Sequence, residues 1–330
     1  MKSAPKCIDL FAGAGGLSLG LEMAGWATEL AVEFDKTACA TYRRNFEGVQ
    51  VIDRDVRGVD WSHLRGSIDL VAGGPPCQPF SVAGNQKANT DSRDMLPEFV
   101  RAVIEIEPEL FLMENVAGLA SKRHLPYLKR NIALLEKLGY NVNFKVLNAA
   151  HFGVPQERLR VFVIGSKRAI PNFPEKTHGT GVRKFVSSNE ALQRAAKDEA
   201  NPAIVTFAKK PVLRASPWAG MLVNGGGRPI NLTQPSQTIP ASAGGNRTHI
   251  VDNDGILLDY HAHLVSGGTP RNGLVKGVRR LTASESASLQ SFPNTFEFEG
   301  RRSAQYRQIG NAVPPLLAKA VGLELLAAIS

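Results

Sequence analysis

The stretch CIDLFAGAGGLSLGLEMAG, residues 7–25, decides the fold. CIDLF is a short apolar run of strand type. AGAGG (12–16) is a glycine turn. LSLGLEMAG (17–25) spaces its apolar residues three and four apart, as a helix does. A strand that feeds a helix through glycines is the opening unit of an α/β sheet. Outward from it, TELAVEF (28–34), VQVI (49–52), IDLVAG (68–73), LFLMEN (110–115), VNFKVL (142–147) and RLRVFVIG (158–165) are further strands. LPEFVRAVIEI (96–106) and LKRNIALLEKLG (128–139) are helices between them. This alternation predicts a doubly wound, mostly parallel sheet with helices on both faces.

The texture changes after residue 168. Residues 169–278 are rich in Pro, Gly, Asn, Ser and Thr, and predict a smaller, irregular, loop-dominated region. Helical patterns return in LTASESASLQSF (281–292) and NAVPPLLAKAVGLELLAAI (311–329), the second with Pro314 and Pro315 in its first turn. The expected division is 1–180, 181–278 and 279–330. Among 330 residues, 39 Lys and Arg against 30 Asp and Glu leave a net charge of +9, which fits a polyanionic partner. No run is read as apolar enough to span a bilayer, and the first residues lack a signal-peptide pattern. The three cysteines, Cys7, Cys39 and Cys77, form no disulfide framework or CxxC pair. The histidines show no metal spacing; His261 and His263 are taken as strand or loop residues. These features predict a cytoplasmic, reduced, metal-free protein.

Glycines after the first strand let a ligand approach the backbone, beside the free N–H groups of a helix start. Glu33 ends the second strand, twenty positions after Gly13, a spacing that suits an acid accepting from ribose hydroxyls. Phe34 is placed to lie against an adenine ring, and Asp55 to accept from its amino group. A plain ligand-free turn is the simpler alternative, and the placement of Glu33 argues against it. A dinucleotide is disfavoured because Ser18 stands where GxGxxG needs its third glycine. Asp9, just before the loop, suits a cationic ligand such as the sulfonium of S-adenosylmethionine.

GGPPCQPFS (73–81) fixes Cys77 among prolines at the end of a strand, the edge where α/β sheets bind ligands. A catalytic thiol needs its thiolate, which nearby positive charge favours. Arg158 and Arg160, in QERLR, are candidates for that charge. Glu114 ends another strand at the same edge, where partial burial favours its proton.

Taken together, these segments resemble the C5-cytosine DNA methyltransferases, the bacterial modification enzymes. The resemblance rests on DLFAGAGGLSLG, VEFD, GGPPCQPFS, DSRDML (91–96), MENV (113–116), QERLRVFVIG, RRLTASESASLQSFP (279–293) and QYRQIGNAVPP (305–315), in family order. It implies a cofactor domain of the S-adenosylmethionine-dependent methyltransferase type, a small β-rich target-recognition domain, and a last helix returning to the first domain. It implies that Phe11, Gly13, Ala14, Gly15, Gly16, Glu33, Phe34, Asp55, Val56, Pro76, Leu96, Asn311 and Ala312 line the cofactor site. Phe34 stands where many relatives have tryptophan or tyrosine, so weaker stacking is expected.

The resemblance further implies that Cys77 adds to C6 of a cytosine flipped out of double-stranded DNA. Glu114 would hold N3 and Arg158 or Arg160 the O2 side. Gln78, Ser81 and Thr238 would contact DNA, with Thr238 near a phosphate. Arg228 and Arg247 suit guanine edges, and Asn246 adenine or phosphate. The protein is expected to act as a monomer, associated with the bacterial nucleoid, in a restriction-modification system. A tRNA cytosine methyltransferase of the same fold and an inactive DNA-binding relative are the alternatives. The long polar region favours DNA, and the full set of reacting residues favours an active enzyme. The target sequence is not legible.

Overall fold

In the computed structural model, which describes residues 4–76 and 94–329, the first part of the chain alternates as expected. β1 (Lys6–Leu10), α1 (Gly16–Ala24), β2 (Ala27–Glu33), α2 (Lys36–Asn45), β3 (Gln50–Asp53), β4 (Leu70–Gly73), α3 (Leu96–Ile106), β5 (Leu110–Val116), α4 (Leu125–Glu136), β6 (Asn141–Asn148) and β7 (Leu159–Ser166) follow in turn. The seven strands make one sheet in the order β3-β2-β1-β4-β5-β7-β6. Pairing is parallel from β3 to β5 and antiparallel for β5–β7 and β7–β6. β5 is buried over nearly its whole length, whereas β6 at the edge alternates between exposed and half-buried positions before its inner end. The strand order reverses between β1 and β4. At such a switch point the connections leave to opposite faces and open a crevice at the carboxyl ends of the strands.

Apolar periodicity builds the core. α3 turns Phe99, Val100, Val103 and Ile106 onto Leu10, Val71, Phe111 and Val163 of the sheet. Its outer face carries Arg101, paired with Glu98 and Glu105 at 2.8 and 3.0 Å. α2 had no apolar signal strong enough to read. It is fixed instead by Asp35, whose side chain accepts from the N–H groups of Thr37 and Ala38.

The chain divides into two compact units. The first holds Met1–Phe152, Arg158–Thr177 and Ala312–Ser330; the second holds Gly153–Glu157 and His178–Asn311. The second contains α5 (Ser188–Arg194), β8 (Phe207–Val212), β9 (Met221–Val223), β10 (Ile250–Asp252), α6 (Ile256–Val265), β11 (Val278–Arg280), α7 (Ala283–Leu289) and α8 (Arg302–Asn311). Its sheets are the antiparallel pairs β8–β9 and β10–β11. Val205, Val223, Ile250, Leu257 and Val275 form a small core of its own.

One expectation is corrected here, and a second is tested. His261 and His263 lie on α6, a helix that buries Leu257, Tyr260 and Leu264 at helical spacing. His261 Nε2 bonds to the Arg214 carbonyl at 2.8 Å, so its role is structural. The stretch 302–329 is long and apolar enough to cross a membrane if taken as one helix. It is broken: α8 stops at Asn311 and α9 (Pro315–Ile329) begins afresh. The 15 residues of α9 reach only about 22 Å, short of a hydrocarbon core of about 30 Å. α9 also buries Leu317, Ala318, Val321 and Leu325, and its Gly322 carbonyl accepts from the indole of Trp26 at 2.9 Å.

Candidate active site

The crevice is built from the carboxyl ends of β1, β2, β4 and β5 and the start of β7. After β1 the backbone turns sharply through Phe11 and Gly13, at φ of 60° and 56°, and Gly15 at 91°. A left-handed phenylalanine is strained by about 1 kcal/mol or more, a cost found where function fixes the backbone. A side chain on Gly15 would put Cβ 2.3 Å from the Phe46 ring, which stacks on Tyr42 with centroids 4.3 Å apart. Gly13 is the opposite case: a Cβ there would meet nothing within 4 Å. The loop is closed below and open above, which is what a cradle for a ligand requires.

Glu33 joins this cradle. Its Oε2 accepts from the Gly13 N–H at 2.9 Å, and its Oε1 from the N–H groups of Phe34 and Asp35 at 2.9 and 2.8 Å. Burial holds its carboxyl above the ordinary range, and these three donors oppose that rise. Oε1 is filled by its two donors, and Oε2 keeps acceptor capacity for a ribose hydroxyl. Phe34, 69% exposed, presents a bare ring next to that carboxylate.

The other predicted cofactor residues divide into surface and support. Gly16 opens α1 and Pro76 is half-buried. Ala14, Val56, Leu96 and Ala312 are buried, so they shape the walls from within. Leu96 in particular has no exposed surface and belongs to the core beneath the crevice. Asp55 is exposed, but Arg57 donates to both its oxygens, at 2.9 Å from Nε and 2.5 Å from Nη2. An adenine amino group would have to share it. Asn311 is exposed at the end of α8, in the second unit.

Asp9 corrects the expectation of a direct contact with a cation. Its side chain faces α1, where Oδ2 accepts from Ser18 Oγ at 2.6 Å, and Ser18 Oγ accepts from the Tyr42 hydroxyl at 2.7 Å. At 1% exposure it touches no ligand, and burial pushes its carboxyl up to about 7.

β5 and β7 supply the second half of the crevice. Glu114 is opposite Phe162, and Arg160 is opposite Val116, so the two are diagonal neighbours on one face of an antiparallel pair. Arg160 Nε lies 3.0 Å from Glu114 Oε1, with little of either side chain exposed. Burial raises the Glu114 carboxyl, and Arg160 and Arg158 pull it back down. Arg158 is buried and donates from Nη2 to the Ala312 carbonyl at 3.0 Å; burial lowers its pKa.

Glu114 also faces the strand that leads to the thiol: a Cβ on Gly74 would stand 3.3 Å from its Oε2. The Gly74 N–H donates to the Leu10 carbonyl at 3.2 Å, and Asn115 Nδ2 to the Pro75 carbonyl at 2.9 Å. The Pro76 carbonyl accepts from the Met95 N–H at 3.2 Å. The chain is thus pinned up to the residue before Cys77. Cys77, Gln78 and Ser81 lie outside the described residues. The role of Asn115 escaped the sequence reading, because nothing in ENV tells which carbonyl its amide will meet.

In the second unit, the predicted reading residues sit on two loops that touch. A Cβ on Gly225 would fall 2.0 Å from the Asn246 carbonyl, so only glycine permits the approach. Buried Arg280 joins the loops, donating to the Thr248 carbonyl at 2.9 Å and to Asn224 Oδ1 at 3.0 Å. Asn246 and Arg247 are exposed, and Arg228 is half-buried. Thr238 is exposed, but its hydroxyl donates to the Glu157 carbonyl at 2.7 Å. Donation to a phosphate would require it to give up that bond.

Residues 5–327 match the family described as C-5 cytosine-specific DNA methylase. The chain belongs to that family. It is 37% identical over 314 residues to Type II methyltransferase M.AplI of Arthrospira platensis, covering 95% of this chain and 83% of that protein. It is 36% identical to Type II methyltransferase M.PspPI of a Psychrobacter species, over 97% of this chain and 78% of that one. Among solved structures, the S. pombe Dnmt2 methyltransferase superposes with a TM-score of 0.72 at 16% identity, covering 99% of both chains. That likeness concerns the fold. The chain is therefore a DNA (cytosine-5-)-methyltransferase dependent on S-adenosylmethionine. The cradle is compatible with that cofactor: Glu33 offers an acceptor for a ribose hydroxyl, and Phe34 a bare aromatic ring beside it.

A first prediction follows from the cradle. Glu33→Ala removes the acceptor of three backbone donors and of the ribose. Bonds to a charged group are worth about 1.5–3 kcal/mol, so S-adenosylmethionine should bind roughly ten- to a hundredfold more weakly. Calorimetry checks this, and an unchanged dissociation constant would remove Glu33 from the site.

Proposed function

We propose that this methyltransferase modifies a cytosine flipped out of a specific short duplex sequence, through a covalent bond between Cys77 and C6. The observation that carries the reading is the buried Glu114–Arg160 pair, 3.0 Å apart, beside the pinned segment that delivers Cys77. C5 of cytosine is a weak nucleophile. Thiolate addition at C6 converts the ring to an enamine with electron density at C5. Glu114 holds the proton at N3 and Arg160 the O2 side, so the charge of the adduct is met by groups already in place. Arg158, the expected alternative, is 1% exposed and donates to the Ala312 carbonyl, so it acts on Glu114 from behind. The cofactor supplies the methyl group. Loss of the C5 proton then expels Cys77 and restores the ring. The base must leave the stack for this, at a cost of a few kcal/mol.

In this reading residues 1–180 bind cofactor and do the chemistry, 181–278 read the target, and 279–330 form the hinge and returning helix. Gln78 and Ser81 contact DNA beside the nucleophile. The curated relatives are named Type II methyltransferases, which supports a place in a bacterial restriction-modification system. The enzyme would act as a cytoplasmic monomer on nucleoid DNA. A methyl-transfer assay on duplex DNA and on tRNA tests the substrate: transfer to tRNA alone would overturn the reading.

The loops held by Arg280 make a further prediction. If Arg228 or Arg247 reads a guanine edge, its replacement by alanine should cost about 1–3 kcal/mol against the cognate base and relax discrimination there. A phosphate contact would instead weaken all sequences alike. Competition binding against single-base variants of the site separates the two, and unchanged affinity and preference in both variants would move the reading surface elsewhere.

A further inference from the structure

The segment SKRHLPYLKR (121–130) follows Glu114 closely, and no acid occurs between Glu114 and Glu136. It leaves the carboxyl end of β5 through a short helical turn, Ala117–Ala120, and runs into α4. It therefore starts at the edge of the sheet that carries the crevice. The turn is well bonded: the His124 and Leu125 N–H groups both donate to the Ser121 carbonyl, at 2.9 and 2.8 Å. Lys122, Arg123, Lys129 and Arg130 are all exposed. Among the described residues none of the four has an ion-pair partner, although the exposed Arg43, Arg57 and Arg168 do. The N–H groups of Lys122 and Arg123 likewise make no bond within the turn. Arg130 is held over the Tyr127 ring, 5.7 Å from its centroid, which orders its guanidinium without neutralising it. Burial and Arg123 both lower the pKa of His124, so the charge of the patch rests on the four Lys and Arg side chains.

We propose that Lys122, Arg123, Lys129 and Arg130 form a second, sequence-independent docking surface for the phosphate backbone of duplex DNA. Four unpaired cations lie within nine residues, just before and in the first turns of a helix whose N-terminus itself favours anions, and their charge complements that of a duplex strand. An enzyme that must first find its site gains from such contacts, because they bind all sequences alike and steer encounter. None of the four touches the crevice groups described above. The surface thus sets affinity for DNA and leaves the chemical step alone. The proposal rests on duplex DNA being the substrate.

The test uses the full chain and two double variants, Lys122→Gln with Arg123→Gln, and Lys129→Gln with Arg130→Gln. Binding to a fluorescent duplex lacking any target site is titrated at several salt concentrations. Each lost phosphate contact should flatten the slope of log affinity against log salt by about 0.9. Each pair should therefore flatten it by one to two, with roughly tenfold weaker binding near 0.1 M salt. Turnover at saturating cognate DNA and affinity for S-adenosylmethionine should match the wild type. Wild-type affinity and slope in both variants would overturn the proposal, as would a loss of turnover at saturating DNA. The reading of substrate fails separately: wild-type protein that binds duplex DNA but methylates none of it would sink that reading, while the salt slopes would still decide the patch.

Discussion

Duplex DNA carrying 5-fluorocytosine at the target position is expected to become covalently bound to Cys77, in a complex that survives a denaturing gel. The proposed reaction ends when a proton leaves C5 and the thiol is expelled. Fluorine cannot leave as a cation, so elimination stops and the adduct remains, methylated at C5. Cys77→Ser should abolish the adduct and lower methyl transfer by about 10³-fold or more, because a hydroxyl is a far weaker nucleophile near neutral pH. The other two cysteines make the test specific. Cys7 is fully buried in β1 with its Sγ 3.7 Å from Thr28 Oγ1, and burial pushes its thiol far up. Cys39 is buried in α2, and burial pushes its thiol up to about 11. Neither carries appreciable thiolate at neutral pH, so Cys7→Ser and Cys39→Ser should leave the adduct intact. Mass spectrometry that mapped the adduct to any other residue would sink the mechanism.

The first unit was legible because its signals are local and repeated. Each parallel strand is a short apolar run, and the helices that pack on both faces show their spacing plainly. The elements that escaped are those held by something other than apolar periodicity. α2 depends on the Asp35 cap, and α5 on the reciprocal cap of Ser187 and Glu190. α6 sets its buried Leu257, Tyr260 and Leu264 among histidines, one of them buried too, and an aspartate. Motif reading placed Glu114 and Arg160 at one sheet edge, and the structure sets them 3.0 Å apart, but the motifs could not give that pairing. That follows from the antiparallel turn of β7 against β5, a long-range choice. Asp9 shows the converse failure. Its place before the glycine loop suggested a ligand contact, whereas strand alternation turns it inward to Ser18. In the second unit the loops are held by Arg280 and by two glycines at close approaches, Gly225 on the Asn246 carbonyl and Gly227 on that of Thr248, and neither device has a sequence signature.

Replacing Glu114 is expected to separate its two tasks. Its carboxyl is buried and raised above the ordinary range by that burial, with Arg160 and Arg158 opposing. In the proposed mechanism it holds the proton at N3, which requires its protonated form. Its activity is therefore greatest at low pH and is lost as pH rises through its pKa. Thiolate formation at Cys77 has the reverse dependence, so the turnover of the wild type should rise and then fall with pH. Glu114→Gln keeps the shape of the side chain and can still donate an N–H to the ring, but cannot deliver a proton. Turnover should fall by about 10²–10⁴-fold, the usual weight of a positioned acid, and the alkaline decline should disappear while the acidic limb stays. Glu114→Ala adds a second cost. It strands Arg160, whose guanidinium would then lie buried without its carboxylate 3.0 Å away. Removing one partner of a buried pair costs about 3–5 kcal/mol, so this variant should also melt earlier, and Glu114→Gln, which keeps an acceptor oxygen for Arg160 but not the charge, should melt between it and the wild type. Pre-steady-state turnover across the pH range, with melting curves for both variants, checks the two tasks separately. An alkaline limb that survives in Glu114→Gln would assign the proton at N3 to another group.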